Sequence, residues 1–378
     1  MKQVLLAFLL LILVVVFGFV TTGLTVNNKA FNLSVASTKK TNLLLGSEKN
    51  LSLLSYGIKW TPDGHISYIT FPDGKRKFFI SGNQKTYTIE VPAPLSLQDA
   101  LAKNPLIKEN FGPDKNVSYR NFYAAITSVI QTEPKNPYHL MAFTQNEEQT
   151  LKPDGSNDYA HFTSSIGLLE SYDGGNTWKD FGPIIKGDDY LAPGTKITGA
   201  GEPSAITKDG YIYVYFTDWS ARGIHPDQIY LARSKIFPDG GLGKFEFYKS
   251  NGFSDGEQNL QPVIKLSENI NDKYISLPSI SYNKYLNQYL AIYETNTGFY
   301  QAVSLDGINF TNEKLIFNFP QPQSERKTGD IWYSYPTLLS DGSEKNDGVS
   351  KNNGNFYFAT GVWPNTAHQL SVKPFEFR

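Results

Sequence analysis

Three carboxylates in this 378-residue chain, Glu147, Glu202 and Asp218, stand at the ends of short apolar segments, where a side chain leaves a strand for solvent. Cleavage of a glycosidic bond needs such a set: a protonated carboxylic acid beside the leaving oxygen, and an ionised carboxylate serving water or the anomeric carbon. Buried together, like charges force one pKa upward, and the raised member becomes the acid. Glu202 is the preferred member, because Pro203 fixes the chain direction after it and Gly199-Ala200-Gly201 before it leaves room for a ligand near the backbone. Arg120, Asn146, Glu148, Trp219, Arg222, Glu294, Asp330, Trp332 and Tyr335 fall at similar places and are candidates for holding a substrate, the tryptophans as flat faces for a sugar ring. Each has a plainer role. Glu202 would accept backbone N–H bonds, Asp218 or Glu294 would cap a loop, and the tryptophans would pack between strands.

Other chemistries fit less well. His65, His139, His161, His225 and His368 are scattered with no H-x-x-x-H spacing, and there is no cysteine, so no metal centre is expected. Neither a phosphate-binding glycine loop nor a G-x-S-x-G elbow occurs, and no cofactor is expected. Lys and Arg number 35 against 36 Asp and Glu, which leaves no basic excess for nucleic acid.

The elements that must carry these residues are strands. Aromatic residues make up 14% of the chain, with 23 Tyr and 25 Phe, and many glycines punctuate them, as in strands joined by tight turns. One plan recurs: a short apolar strand behind a small residue or Pro-Ser/Thr, a turn, then an aromatic strand. It appears at 126–130 with 138–143, 202–206 with 211–216, 277–280 with 289–293, and 335–339 with 356–359. Ser128, Ser204, Ser279 and Thr337 hold matching places in it. A less regular copy lies between 55 and 90, where Thr61-Pro62-Asp63-Gly64 and Pro72-Asp73-Gly74 read as hairpin turns. Repeats of this length predict an all-β fold, a β-propeller of five blades with four antiparallel strands each. Beyond the N-terminal segment, the one expected helix lies within 96–110, opened by the capping box Ser96-Leu97-Gln98-Asp99.

Residues 171–178 match the Asp-box S-x-D-x-G-x-T-W at every position, through Ser171, Asp173, Gly175, Thr177 and Trp178, and 304–310 is a shortened relative. With the strand at 201–206 leading to 213–219, and the late segment 335–340, the chain resembles the glycosidase propellers over roughly residues 50–378. These are the arabinanase- and xylosidase-like family 43 hydrolases and the sialidase superfamily. The resemblance implies structural Asp-boxes away from the active site. Propeller topology then gathers first-strand starts and second-strand ends, hence the carboxylates named above, at the opposite mouth. A sialidase would bind its substrate carboxylate with three arginines and use a Tyr–Glu pair. Arg120, Arg222, Arg326 and Tyr335 are available for this, but the F/Y-R-I-P motif is absent. Family 43 expects an Asp base in the first blade, and none is evident.

The start of the chain concerns location. The apolar run 4–20 exceeds the about 7–15 residues of a cleaved signal, lacks a small-x-small cleavage site, and with its Thr/Gly tail just reaches across a bilayer. Residues 1–26 therefore read as an uncleaved N-terminal membrane helix in preference to a cleaved signal, 27–49 as a polar stalk and 50–378 as the propeller. The expectation is an exported, membrane-anchored glycoside hydrolase-like propeller whose partner is a glycan or polysaccharide. A non-catalytic propeller binding glycan or protein, and a sialidase-type exo-glycosidase, are the alternatives.

Overall fold

The computed structural model describes residues 42–151, 154, 157–187, 197–220, 228–265, 274–342 and 344–378. The expected N-terminal membrane helix lies outside the described residues. Strands β1 (Leu43–Leu45) and β2 (Lys49–Leu51) come first. Four meanders follow: β3 (Ser67–Thr70), β4 (Lys75–Gly82), β5 (Lys85–Pro92) and β6 (Ile107–Phe111); β7 (Tyr123–Gln131), β8 (Leu140–Leu151), β9 (Asn157–Ser171) and β10 (Lys179–Ile185); β11 (Ile197–Lys208), β12 (Tyr211–Asp218), β13 (Gln228–Ile236), β14 (Leu242–Lys249) and β15 (Gly252–Ser254); β16 (Ile275–Asn283), β17 (Gln288–Thr295), β18 (Gly298–Ser304) and β19 (Thr311–Asn318). The chain ends with β20 (Ile331–Ser340), β21 (Val349–Ser350), β22 (Asn353–Val362) and β23 (His368–Phe377). Neighbours within each meander are antiparallel, as the repeat predicted. The second and third meanders merge through a short parallel pairing of β9 with β11.

Period-two side-chain alternation explains how these sheets stack. In β12, Ile212, Val214 and Phe216 enter the core shared with the preceding meander, while Tyr213 and Tyr215 enter the core shared with the following one. The same division recurs between the first and second meanders, between the fourth and the C-terminal strands, and between those strands and the first meander, so the apolar layers run in a closed circuit. Each innermost strand is also tied to the next by one hydroxyl. Ser67 Oγ accepts the Val129 amide at 3.0 Å, Ser128 the Ala205 amide at 3.0 Å and Ser204 the Ile280 amide at 2.9 Å. Ser279 accepts the Leu338 amide at 3.3 Å, and Thr337 Oγ1 returns to the Ile66 amide at 3.1 Å. The ring closes on itself.

The first and last described strands share one sheet. Both β1 and β2 pair antiparallel with β23, Leu43 opposite Phe377 and Leu51 opposite Leu370. The sheet therefore reaches into the segment read from sequence as a polar stalk ending at residue 49. Helix α1 (Leu97–Leu101) is capped as expected, Ser96 Oγ accepting the Asp99 amide at 3.1 Å, but stops well before residue 110.

The Asp-box joins β9 to β10, and its relative joins β18 to β19, the third-to-fourth-strand position that the topology required. Asp173 Oδ1 accepts the Asn176 and Thr177 amides, both at 2.9 Å, and Oδ2 accepts the Thr177 hydroxyl at 2.7 Å. Partial burial acts against its charge, but the bonds from Thr177, Ser171 and Asn176 prevail and bring the carboxyl down to about 2. Each turn also grips the preceding meander. Lys77 Nζ donates to Gly174 O at 2.9 Å, Trp178 donates to Asn110 at 2.8 Å, and Tyr215 donates to Gly307 O at 2.7 Å. At Gly175, φ is +75° and a Cβ would lie 2.9 Å from the Phe79 ring, so glycine is required twice over.

The ring makes a direct expectation. Ser204→Ala leaves the buried Ile280 amide without its acceptor and should cost about 1–3 kcal/mol, read as a fall in Tm or in the urea midpoint. An unchanged midpoint would mean that the ring contributes little to closure.

Candidate active site

A cavity of about 790 Å³ opens where the starts of the innermost strands meet the ends of the second strands. Asp63, Glu147, Glu294, Tyr123, Tyr335, Arg326 and His368 line it, together with Trp60, Trp332 and Trp363. Three of its approaches share one local device. In β11, β16 and β20 the register slips by a bulge at Glu202-Pro203, Leu277-Pro278 and Tyr335-Pro336. Glu202, Leu277 and Tyr335 take φ of 52°, 56° and 57°. A non-glycine residue there costs of order 1–3 kcal/mol. In β20 the bulge sets Tyr335 at the mouth, and in all three strands the Ser or Thr two positions later stays in the hydroxyl ring.

Asp63 is the member the sequence did not supply. Its segment reads as a hairpin turn, yet Thr61–Gly64 precedes the first strand of its meander, whereas Pro72-Asp73-Gly74 is a true turn between β3 and β4. Matching Ser67 to Ser128, Ser204, Ser279 and Thr337 is the signal that would have placed Asp63 at the mouth. The Asp63 amide donates to Ser81 Oγ at 3.0 Å, and its carbonyl accepts the Tyr123 hydroxyl. Burial raises the Asp63 carboxyl above its usual value, and the His368 charge and a hydrogen bond from Tyr335 offset only part of that rise.

The other carboxyls are pushed up more freely. Burial and then the Asp63 charge raise Glu147, on β8 opposite Tyr123, to about 8 against one bond from Gln145. Burial raises Glu294, on β17, to about 7, although Ser334 donates to it at 2.7 Å and Tyr274 at 3.1 Å, with Arg326 nearby. Glu202 is raised well above the usual range by burial and by Asp63, Glu147 and Glu294, with nothing opposing. Burial likewise keeps the Tyr335 phenol protonated, so that it donates to Asp63.

The structure brings together some of the residues read from sequence and separates others. Glu202 sits behind the cavity wall instead of lining it: its amide donates to Gln145 Oε1 at 2.8 Å, and its carboxyl lies 3.3 Å from where a Cβ on Gly64 would stand. Asp218 is also outside the lining, its Oδ1 accepting the Ser220 amide at 2.9 Å. Glu294, Trp332 and Tyr335 line the cavity. Arg120 is held by Asp180 at 3.0 Å and by Gly112 O, away from the mouth. Asn146 is buried against Gly167, Glu148 is exposed on β8, and Trp219 packs over Gly201. Asp330 caps its own turn through the Lys327 amide. Arg222 lies outside the described residues. Of the two described arginines considered for a substrate carboxylate, Arg120 and Arg326, only Arg326 is among the lining residues, its guanidinium 4.6 Å over the Trp363 ring.

No protein-family model matches the chain, and a search of curated proteins finds no match. Solved structures do match. An α-L-arabinofuranosidase from Lactobacillus brevis superposes with a TM-score of 0.52 over 84% of this chain and 91% of that one, at 10% identity. This chain shares the β-propeller fold of that structure. Two further structures similar to the propeller are an α-L-arabinofuranosidase from Podospora anserina in complex with cellotriose, and a family 43 enzyme from Xanthomonas citri complexed with xylotriose. The first has a TM-score of 0.49 at 12% identity, covering 90% of this chain and 97% of that one. The second has a TM-score of 0.47 at 11% identity, covering 87% and 89%.

The raised carboxyls have a measurable consequence. A folded-state pKa above the unfolded value means that the native propeller binds more protons, so stability falls as pH rises through that interval. Tm should decline from about pH 5 toward the raised values near 7 and 8 of Glu294 and Glu147. Glu147→Gln should flatten the decline. A Tm profile identical in the variant would remove Glu147 from the coupled cluster.

Proposed function

We propose that this chain is a glycoside hydrolase whose five-bladed propeller holds a glycan in the cavity flanked by Trp60, Trp332 and Trp363. The observation that carries this is the convergence of Asp63, Glu147 and Glu294 on one cavity, each in electrostatic reach of Glu202 behind it. The ring of hydroxyl–amide bonds, with one member from each innermost strand, supports the count of five blades.

Of the two carboxyls closest to acid–base work, Asp63 has a neighbouring positive charge and a phenol donor, whereas Glu147 has neither. Glu147 is then the acid, held protonated near neutral pH, and it gives its proton to the leaving oxygen. Asp63 is the ionised partner serving the attacking water or the anomeric carbon. Glu147 is held protonated by burial and the Asp63 charge, while Glu202, preferred from sequence as the catalytic group, is itself kept protonated behind the wall and takes no step of the reaction. Asp218 has no part in this reading.

A panel of aryl glycosides, with arabinofuranosides and xylosides included, tests the activity. Glu147→Gln should lower kcat by about 10²-fold or more in a variant that still folds, and normal turnover by this variant would sink the assignment. One observation favours the non-catalytic alternative: at the bulge of β16 the chain carries Leu277 where β11 carries Glu202. Glycan binding without cleavage anywhere in the panel would put that alternative first.

The apolar run at 4–20 supports an exported domain tethered to a membrane by its N-terminus. Sequencing of the mature N-terminus should return Met1 or its neighbours, and a start near Asn27 would replace the tether by a cleaved signal.

A further inference from the structure

His368 begins β23 and lines the cavity, and both of its ring nitrogens face carbonyl oxygens. Nδ1 is 2.8 Å from the oxygen of Thr366, and Nε2 is 2.9 Å from the oxygen of Pro62, the residue before Asp63. A neutral imidazole carries one N–H and one lone pair, so in that form one nitrogen would turn its lone pair onto a carbonyl oxygen. With a proton on each nitrogen the ring donates twice. The surroundings hold it in place: its centroid is 5.0 Å from that of Trp332 and 6.0 Å from that of Tyr335, and its backbone bridges to Trp60.

We propose that His368 is a positioning residue, an imidazolium that clamps the Pro62 carbonyl and supplies the counter-charge that keeps Asp63 ionised. This rests on the assignment of Asp63 as the ionised partner of Glu147. The clamp joins the first innermost strand's lead-in to the C-terminal strand, so one side chain sets both where Asp63 sits and what charge it carries. The need for a counter-charge is evident from the other ionisable groups around Asp63. Glu147, Glu202, Tyr335 and Tyr123 all feel the Asp63 charge, and none of them is cationic. Glu294 and Arg326 line the same cavity, but the charge that Arg326 offers acts on Glu294.

His368→Gln tests this, because the amide keeps one donor and removes the charge. Activity requires ionised Asp63, and loss of a nearby cation raises the pH at which that carboxyl gives up its proton. The acidic limb of the kcat/KM profile should move upward by about one pH unit, so that activity at mildly acidic pH falls roughly tenfold while the plateau is less affected. A uniform loss of kcat with an unmoved limb would reduce His368 to a structural strut and overturn the proposal.

A second measurement needs neither substrate nor a well-folded variant. In the full chain labelled with ¹⁵N, both His368 ring nitrogens should carry protons over the mildly acidic range in which Asp63 loses its proton, as followed by its ¹³C carboxyl signal. A bare ring nitrogen in that range overturns the clamp. If both nitrogens are protonated and Asp63 titrates as expected but no glycoside is cleaved, the clamp stands and the hydrolase reading alone falls.

Discussion

Five hydroxyls hold the centre of this molecule, and the positions of its other parts follow from them. Each innermost strand carries a Ser or Thr whose oxygen takes an amide from the next strand, and the last bond returns to the first strand. Singly such a bond is worth about 1 kcal/mol net. Arranged in a circuit they fix the register of every meander relative to its neighbour. A slip of one residue would turn Ile212, Val214 and Phe216 from one core to the other. Spacing set at the axis is thereby transmitted to the apolar layers farther out.

The same device sets Tyr335 at the mouth. A bulge that places Ser204 or Thr337 in the ring also forces Glu202 or Tyr335 into the left-handed region, above the axis. Glu202 from its bulge, Asp63 from ahead of β3, Glu147 from β8 and Glu294 from β17 meet in a poorly solvated space, where each charge disfavours ionisation of its neighbours. Differences in local donors then decide which remain charged. Asp63 gains a phenol and an imidazole, Glu294 gains two hydroxyls and a guanidinium, and Glu202 gains only raising influences. On the far turns the opposite arrangement holds: Asp173 is wrapped in donors and kept strongly acidic.

Much of this fold was legible because its repeat is written in residue types. The Pro-Ser/Thr starts and aromatic second strands mark β11, β12, β16, β17, β20 and β22, and the Asp-box marks the turn after β9. The site was legible only in part. Glu147, Glu294, Trp332 and Tyr335 follow from strand ends, but Asp63 was hidden in a turn-like tetrapeptide, and His368 in a strand start without distinguishing neighbours. Arg120 and Asp218 show the converse failure. Their positions along the chain suit the mouth, yet each is drawn aside by a local partner, Asp180 or Ser220, that spacing alone does not reveal. Side-chain direction at a strand end depends on the neighbouring loop, and a repeat pattern does not encode it.

The pairing of β1 and β2 with β23 bears on how the molecule reaches its native state. Residues 43–51 find their hydrogen-bonding partners only in 370–377, so the circuit stays open until almost the whole chain has been made. Contacts of such long sequence separation incur their loop-closure entropy before they return any stabilisation, and they slow folding accordingly. Until that closure the first and last sheets each expose an apolar face, Ile66, Tyr68 and Phe78 on one and Tyr357, Leu370 and Val372 on the other. A nascent chain of this kind is open to edge-to-edge association, and the N-terminal strands serve as the fastener that ends the exposure.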